Sequence, residues 1–167
     1  ARPLLKRSGI KVRDLASGAD LSDVISDTGG GTWDAGSSGF FYTLLDANHR
    51  PVAIKYHAIG SAKPDRVIYE EKDPGFFMDV GGSRLEDFIF IGINDHETSE
   101  YRILPANRPD AEPLLVAARE TGVQYELSEG GEVFFILTNA DGAKDFKIME
   151  TPVASPGKEN WREVVPH

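Results

Sequence analysis

The residue patterns that carry out most hydrolytic and redox chemistry are missing from this sequence. Cysteine is absent, which excludes disulfides, thiolate metal sites and cysteine nucleophiles. The four histidines, at positions 49, 57, 96 and 167, form no HxxxH or HExxH pair. No GxSxG occurs, and the closest string, GSSG at 36–39, lacks the spacing of a nucleophile elbow. The sequence therefore predicts no catalytic machinery of its own.

Acidic residues form two local groups that could bind cations. The string DHE at 95–97 is the one local cluster of possible metal ligands in the sequence. Adjacent residues do not easily converge on one ion, so we interpret it as a solvated loop and expect no metal and no cofactor. Glu70, Glu71 and Asp73 lie in an acidic turn after a predicted strand. A solvated edge is the favoured interpretation of this turn, and a rim that attracts cations is the alternative.

The overall charge restricts the classes of partner. The 18 basic and 27 acidic residues give a formal net charge of −9, which argues against binding to duplex nucleic acid. No apolar run approaches the roughly 20 residues needed to span a bilayer, so no membrane partner is expected. The chain begins with Ala and shows no signal-peptide pattern. We expect it to be a piece of a larger protein.

The elements that must position any functional side chain are indicated by an internal repeat. Three similar apolar strings recur about every 47 residues. They are FFYTLL at 40–45, FIFIGI at 88–93 and VFFILT at 133–138. Each string follows a turn of small residues and precedes a loop that contains Asp or Asn, which is typical of hairpins. A strand with period-two alternation follows each string, as with Val52, Ile54 and Tyr56 in the first unit.

Two further strands complete each unit. First strands are predicted near Trp33, 76–80 and 123–127, and fourth strands at 67–70, 113–117 and 161–165. Four antiparallel strands in about 47 residues are typical of a propeller blade. The second strands lack alternation, which is expected when neighbouring blades cover both faces of a sheet. A plain β-sandwich of twelve strands is the alternative.

The predicted fold is therefore all-β. It is a partial β-propeller with about three four-stranded antiparallel blades and a half blade at the N-terminus, for which 10–15 and 22–26 supply the two strands. The three glycines at 29–31 are interpreted as a flexible crossover between blades. The predicted boundaries are 1–27 for the half blade and 28–73, 74–120 and 121–167 for the blades.

Several long strings, in order along the chain, identify a family. They are GFFYTLLDANHRP, VIYEEKDPGFFMDVG, DHETSEYR, DAEPLLVAARETGVQYEL, FFILTNADGAKDFKI and ENWREVVPH. From about Ile10 to His167 the chain resembles the N-terminal propeller domain of the prolyl oligopeptidase family of serine peptidases, in its oligopeptidase B (protease II) branch.

The resemblance implies a two-domain parent enzyme. In such enzymes an α/β-hydrolase domain carries a Ser-Asp-His triad, and a seven-bladed propeller covers it and admits only short peptides. The branch cleaves after Arg or Lys and is expected in the cytoplasm. The hydrolase domain is absent from this chain, so we expect no catalytic residue in it. The implied partners are that domain of the same parent chain and short basic peptides. Two copies of the chain could also associate through their incomplete ends.

The resemblance also suggests four residues that line the substrate cavity. Thr28 is expected just before the first strand of one blade, and Phe77 on the first strand of the next. Glu97 and Thr98 are expected in the loop between the second and third strands of that blade, where His96 and Ser99 are the neighbouring alternatives. Phe77 could instead pack between blades, and Glu97 could be an ordinary exposed loop acid.

Two other classes of function compete with an enzyme part. An autonomous propeller that binds protein partners is one alternative, but no WD or GH signature recurs with the blade period. A carbohydrate binder of the sialidase type is the weaker alternative. The string SDTGGGTW at 26–33 partly matches its Asp-box turn, although the match does not recur in later blades.

Overall fold

The computed structural model describes residues 9–167 and contains fourteen strands in four antiparallel sheets. The first sheet has two strands, β1 (Gly9–Arg13) and β2 (Asp20–Ser26). The side chain of Asp14 accepts the backbone N–H of Ala16 at 2.9 Å and so stabilises the turn between them. No helix among residues 9–167 is long and apolar enough to cross a membrane.

Three four-stranded sheets follow, and we refer to them as the first, second and third blades. The first blade consists of β3 (Thr28–Trp33), β4 (Gly39–Leu45), β5 (Pro51–Ala58) and β6 (Arg66–Glu70). The second blade consists of β7 (Phe77–Gly82), β8 (Phe88–Asn94), β9 (Ser99–Pro105) and β10 (Leu114–Ala117). The third blade consists of β11 (Tyr125–Glu129), β12 (Val133–Thr138), β13 (Lys147–Pro152) and β14 (Arg162–Val165), with short 3-10 turns at Ala140–Gly142 and Lys158–Asn160.

Each blade is a meander in which strands adjacent in sequence are hydrogen-bonded neighbours. The second strand pairs with both the first and the third, so that Phe41 lies opposite Thr32 on one side and Tyr56 on the other. The first and fourth strands form the two edges of each sheet. The all-β prediction of a partial propeller, with three four-stranded blades and a half blade, is confirmed.

Apolar cores lie between consecutive blades. Phe41 and Ile54 of the first blade pack with Ile91 of the second in one fully buried cluster. On the other side of the second blade, Ile103 packs with Phe134 and its neighbours in the third. The half blade has the smallest core, in which Val12 meets Phe40 and Tyr42. Burial of apolar surface between the blades is therefore the main force that stacks them.

The third blade shows what happens when a neighbour is missing on one face. Its second strand alternates, because Phe134 and Ile136 are buried against the second blade while Phe135 and Leu137 are 40% and 44% exposed. In the first blade, the equivalent stretch Gly39–Leu45 is buried from Gly39 to Thr43. A second strand without alternation is therefore typical of a blade that is covered on both faces. The third blade is covered on one face among the described residues.

Three details of the sequence interpretation were wrong. The glycines at 29–31 lie inside β3 and do not form a crossover. A Cβ atom on Gly31 would lie 2.5 Å from the carbonyl oxygen of Phe41, so the close approach of β3 to β4 excludes a side chain there. Thr28 is the first residue of β3, where we expected it to precede the strand. Trp161 was predicted to begin the fourth strand of the third blade, but it lies just before β14. The centre of its ring lies 5.2 Å from the centre of the Tyr125 ring.

Candidate functional site

One end of each blade brings together the start of the first strand and the loop between the second and third strands. Thr28 pairs with Leu44, Phe77 pairs with Asn94, and Tyr125 pairs with Thr138. We call this end the entry face of the chain, and its three loops comprise residues 46–50, 95–98 and 139–146. All four residues suggested for the substrate cavity lie on this face.

Phe77, Glu97 and Thr98 lie at the same end of the second blade. Phe77 is 43% exposed, and the guanidinium carbon of Arg50 lies 4.5 Å from the centre of its ring, a cation–π contact. Arg50 also donates a hydrogen bond to the carbonyl oxygen of Pro74, so the loop of the first blade is tied to the start of the second. Thr28 is buried at the corresponding position of the first blade.

The side chain of Asp95 shapes the loop that contains Glu97 and Thr98. Its Oδ1 atom accepts the backbone N–H groups of both residues at 2.7 Å, and these bonds lower the pKa of Asp95. Thr98 is buried, and its Oγ1 accepts the N–H of Gly122, so it links the second blade to the third. Glu97 remains exposed. Of these two residues, therefore, Glu97 is the one that can reach a ligand from solvent.

A cavity of about 340 Å³ opens on the entry face between the second and third blades. Asp79 and Glu126 contribute carboxylates from the two first strands, and Asp95 contributes a third from its loop. Tyr101 and Phe146 provide aromatic surface, and the described lining contains no basic side chain. Carboxylates beside aromatic rings are suited to bind a guanidinium or ammonium group. Sequence reasoning missed this site because its residues come from separate strands.

The electrostatics of this cavity are those of an acidic site in which Asp79 and Glu126 lack a cationic partner among the described residues. Solvent reaches Asp79 through the mouth of the cavity, yet the surrounding protein reduces its hydration, and this burial raises the pKa of Asp79. Burial, together with the charges of Asp79 and Glu126, raises the pKa of Tyr101 to about 12. Within residues 9–167 neither Asp79 nor Glu126 forms an ion pair. A bound cation would therefore gain attraction that the protein does not already use.

A larger cavity, of about 440 Å³, lies at the opposite end of the blades between the first and second. Its buried carboxylate, Asp34, already accepts the hydroxyl groups of Tyr56 and Ser38, each at 2.7 Å. These hydrogen bonds hold the turn before β4 and leave Asp34 less able to bind a ligand. The cavity on the entry face is therefore the stronger candidate site.

Arg119 organises a buried ion network at the outer side of the entry face. Its guanidinium pairs with Glu71, lies 3.3 Å from Glu100 and stacks 3.9 Å from the centre of the Phe76 ring. The side chain of Glu71 is only 7% exposed, so the prediction of a solvated acidic edge was wrong at this residue. Burial alone would raise the pKa of Glu71, but the hydrogen bonds from Arg119, the Asp73 N–H and Tyr69, with the charge of Arg119, together lower it. The network fixes the segment that leads into Phe77.

Antiparallel four-stranded blades that stack through apolar faces, with a polar cavity on one end, define the class of this protein as a β-propeller. Residues 6–167 match the family described as prolyl oligopeptidase, N-terminal beta-propeller domain, and the chain belongs to this family. This confirms the family resemblance on which the four cavity residues were suggested, although their role at the cavity stays a prediction.

Relatives and solved structures agree with this assignment. The chain is 34% identical to dipeptidyl aminopeptidase BI of Pseudoxanthomonas mexicana, over 95% of the chain and 22% of that protein. It is 31% identical to Protease 2 of Moraxella lacunata, over 88% of the chain and 22% of that protein. Oligopeptidase B from Leishmania major superimposes with a TM-score of 0.88 and 27% identity, over 96% of this chain and 23% of that one. The chain thus spans about a fifth of the length of each of these three proteins.

Proposed function

We propose that this chain is the part of a serine oligopeptidase propeller that controls which peptides reach the active site. In the proposed enzyme the propeller excludes folded proteins and admits short peptides, and a hydrolase domain of the same parent chain cleaves them after Arg or Lys. Similarity to oligopeptidase B along 96% of this chain supports the choice of branch. A cytoplasmic location is part of the same proposal.

The observation that carries the proposal is the acidic cavity on the entry face. Its lining includes Asp79, Asp95 and Glu126, and the chain has a net charge of −9. A peptide with several basic residues is attracted by such a surface and can place one guanidinium or ammonium group between the carboxylates. The cavity therefore supports a preference for basic peptides before any contact with the hydrolase domain.

The chemistry of peptide cleavage belongs to the hydrolase domain in this proposal. The residues of this chain bind and orient the peptide, because the carboxylates fix a cationic side chain and the blades exclude bulky substrates. Proximity of this kind lowers the entropy that is lost when the scissile bond reaches the nucleophile. A GxSxG motif followed by Asp and His in the coding sequence downstream of His167 would support this division of labour.

The test uses the full-length parent enzyme with the double substitution Asp79→Asn and Glu126→Gln. We expect the KM for a reporter peptide with two basic residues to rise about threefold to tenfold, because two attractive charges are lost. A matched peptide with one basic residue at the cleavage site should be affected little. The effect should shrink as salt is added, since exposed charges are screened over about 8 Å at physiological ionic strength.

Two further variants complete this experiment. Glu132→Gln removes an exposed carboxylate outside the cavity and is the matched control, for which we expect no change. Glu97→Gln should raise the KM at most about fivefold, because interactions of an exposed charge contribute about 0–1 kcal/mol. Equal kinetics of the double variant and the parent on the dibasic peptide at low salt would contradict the proposed role of the cavity.

A further inference from the structure

His57 lies between two carboxylates at the junction of the half blade and the first blade. Its Nε2 atom is 2.8 Å from Oδ1 of Asp23 on β2, and its Nδ1 atom is 2.7 Å from Oδ1 of Asp65, in the loop after β5. The His57 side chain is 8% exposed. A neutral imidazole has one N–H, so it can donate only one of these two hydrogen bonds. Both bonds are made only by the doubly protonated imidazolium.

The described groups around His57 supply hydrogen-bond donors to the two aspartates but no second positive charge. Asp65 accepts the hydroxyl of Tyr42 on β4 at 2.7 Å, and Asp23 accepts the N–H of Gly60 at 2.7 Å. The ring of Phe40 covers the imidazole at 5.3 Å between centres. Arg66, which follows Asp65, turns away and binds the carbonyl oxygens of Pro109 and Ala111 and the carboxylate of Glu112. Among the described residues, His57 is the one basic side chain that pairs with Asp23 or Asp65.

The cluster joins the half blade to the first blade beside the smallest of the three apolar cores. The half blade has two strands, and its apolar core against the first blade has three buried residues: Val12, Phe40 and Tyr42. An isolated two-stranded hairpin is marginally stable in water. Within residues 9–167 the half blade packs against the first blade, and Asp23 is a buried polar residue in that contact.

We propose that the Asp23–His57–Asp65 cluster is a pH-dependent latch that holds the half blade against the first blade while His57 is protonated and releases it when His57 loses a proton. Deprotonation leaves one ring nitrogen with its lone pair directed at a buried carboxylate, and two carboxylates face a neutral ring. An unpaired buried charge is strongly unfavourable, so the contact opens.

The sign of the pH dependence follows from two pKa shifts. Burial alone would lower the pKa of His57, but the hydrogen bonds to Asp23 and Asp65 raise it above its ordinary value of 6.5. The stabilisation is therefore fully present below 6.5 and is lost as the pH rises through the raised pKa. The hydrogen bond from His57 lowers the pKa of Asp23, so its stabilisation is lost only in acid, as the pH falls below 3.8. The latch is therefore fully closed between the ordinary pKa of an aspartate, 3.8, and that of a histidine, 6.5.

The first measurement is a nitrogen-15 NMR titration of the histidines of the whole chain. We expect both ring nitrogens of His57 to be protonated at about pH 6 and to titrate with a midpoint above 6.5. Amide hydrogen exchange, corrected for the intrinsic rate, should show protection of β1 and β2 falling up to about tenfold per pH unit between 6.5 and that midpoint. The amides of β11–β13 should not change over this range.

Substitutions separate the latch from general stability. His57→Gln should remove the pH dependence and leave β1 and β2 poorly protected throughout, while His96→Gln, in an exposed loop, is the matched control. Asp65→Asn should lower the titration midpoint of His57, and it serves as the deciding variant if His57→Gln does not fold. A midpoint at or below 6.5, or protection of β1 and β2 that does not depend on pH, would overturn the proposal.

Discussion

At the scale of single residues, the fold depends on charged groups that are buried between blades. Arg119 faces Glu71 and Glu100, whose side chains are 7% and 8% exposed. Taking such charges out of water is unfavourable, and the attraction in the interior compensates for it only while both signs are present. The same reasoning applies to His57 between its two aspartates. Each cluster joins neighbouring blades, so each ties the packing of blades to the protonation and identity of single side chains.

Substitution of Arg119 tests this dependence directly. Arg119→Ala should lower the free energy of unfolding by about 3 kcal/mol, because Glu71 then loses its cationic partner in a buried position. Arg108→Ala is the matched control, since its pair with Asp110 is exposed (62% and 73%) and its loss should change the stability little. Urea unfolding of the two variants gives both values. Equal losses would show that the Arg119 network behaves like a surface ion pair.

These residue clusters could not be predicted from the sequence. Glu71 and Arg119 are 48 residues apart, and Asp23 and His57 are 34 apart, so no local spacing connects them. The blade period places strands, but it does not specify which loop of one blade meets which crossover of the next. Because such distant partners are not visible in the sequence, charged residues in predicted turns are interpreted as exposed to solvent. Glu71 is the residue at which that interpretation was wrong.

At the scale of elements, the sequence was most informative where backbone pairing decides the structure. The three apolar strings became β4, β8 and β12, and the alternating segments after them became β5, β9 and β13. Covered faces produce long apolar strings, and half-covered faces produce alternation, so both signals follow from burial. The glycines at 29–31 were misread because glycine is common in loops, whereas here it permits β3 to approach β4 closely.

Two glycines of β3 give a matched test of this explanation. Gly31→Ala should lower the free energy of unfolding by about 1–3 kcal/mol, because its Cβ would meet the backbone of Phe41 and force the strands apart. Gly30→Ala has open space around the added Cβ and should be neutral or raise stability by about 0.4–1 kcal/mol. Thermal or urea unfolding distinguishes them. A Gly31→Ala variant as stable as Gly30→Ala would contradict the close approach of the two strands.

At the scale of the whole molecule, the described residues form three blades and a half blade, which do not make a closed propeller. Phe135 and Leu137 expose apolar surface on the outer face of the third blade, where a further blade would pack in a longer propeller. Self-association of the isolated chain through this surface stays a prediction. The cavity, the Arg119 network and the His57 cluster all lie at or beside junctions between blades, so function in this molecule is expected where blades meet.

The chain belongs to the N-terminal propeller domain of the prolyl oligopeptidase family, and the central proposal is that it contributes access and selectivity while another domain supplies the catalysis. The most direct measurement compares hydrolysis of an Arg-containing fluorogenic peptide by this chain and by its full-length parent. We predict that the parent cleaves the peptide and is blocked by a serine-directed inhibitor, while the purified chain alone shows no turnover. Turnover by the chain that survives removal of contaminating proteases, or a parent that does not cleave the peptide, would contradict the claim.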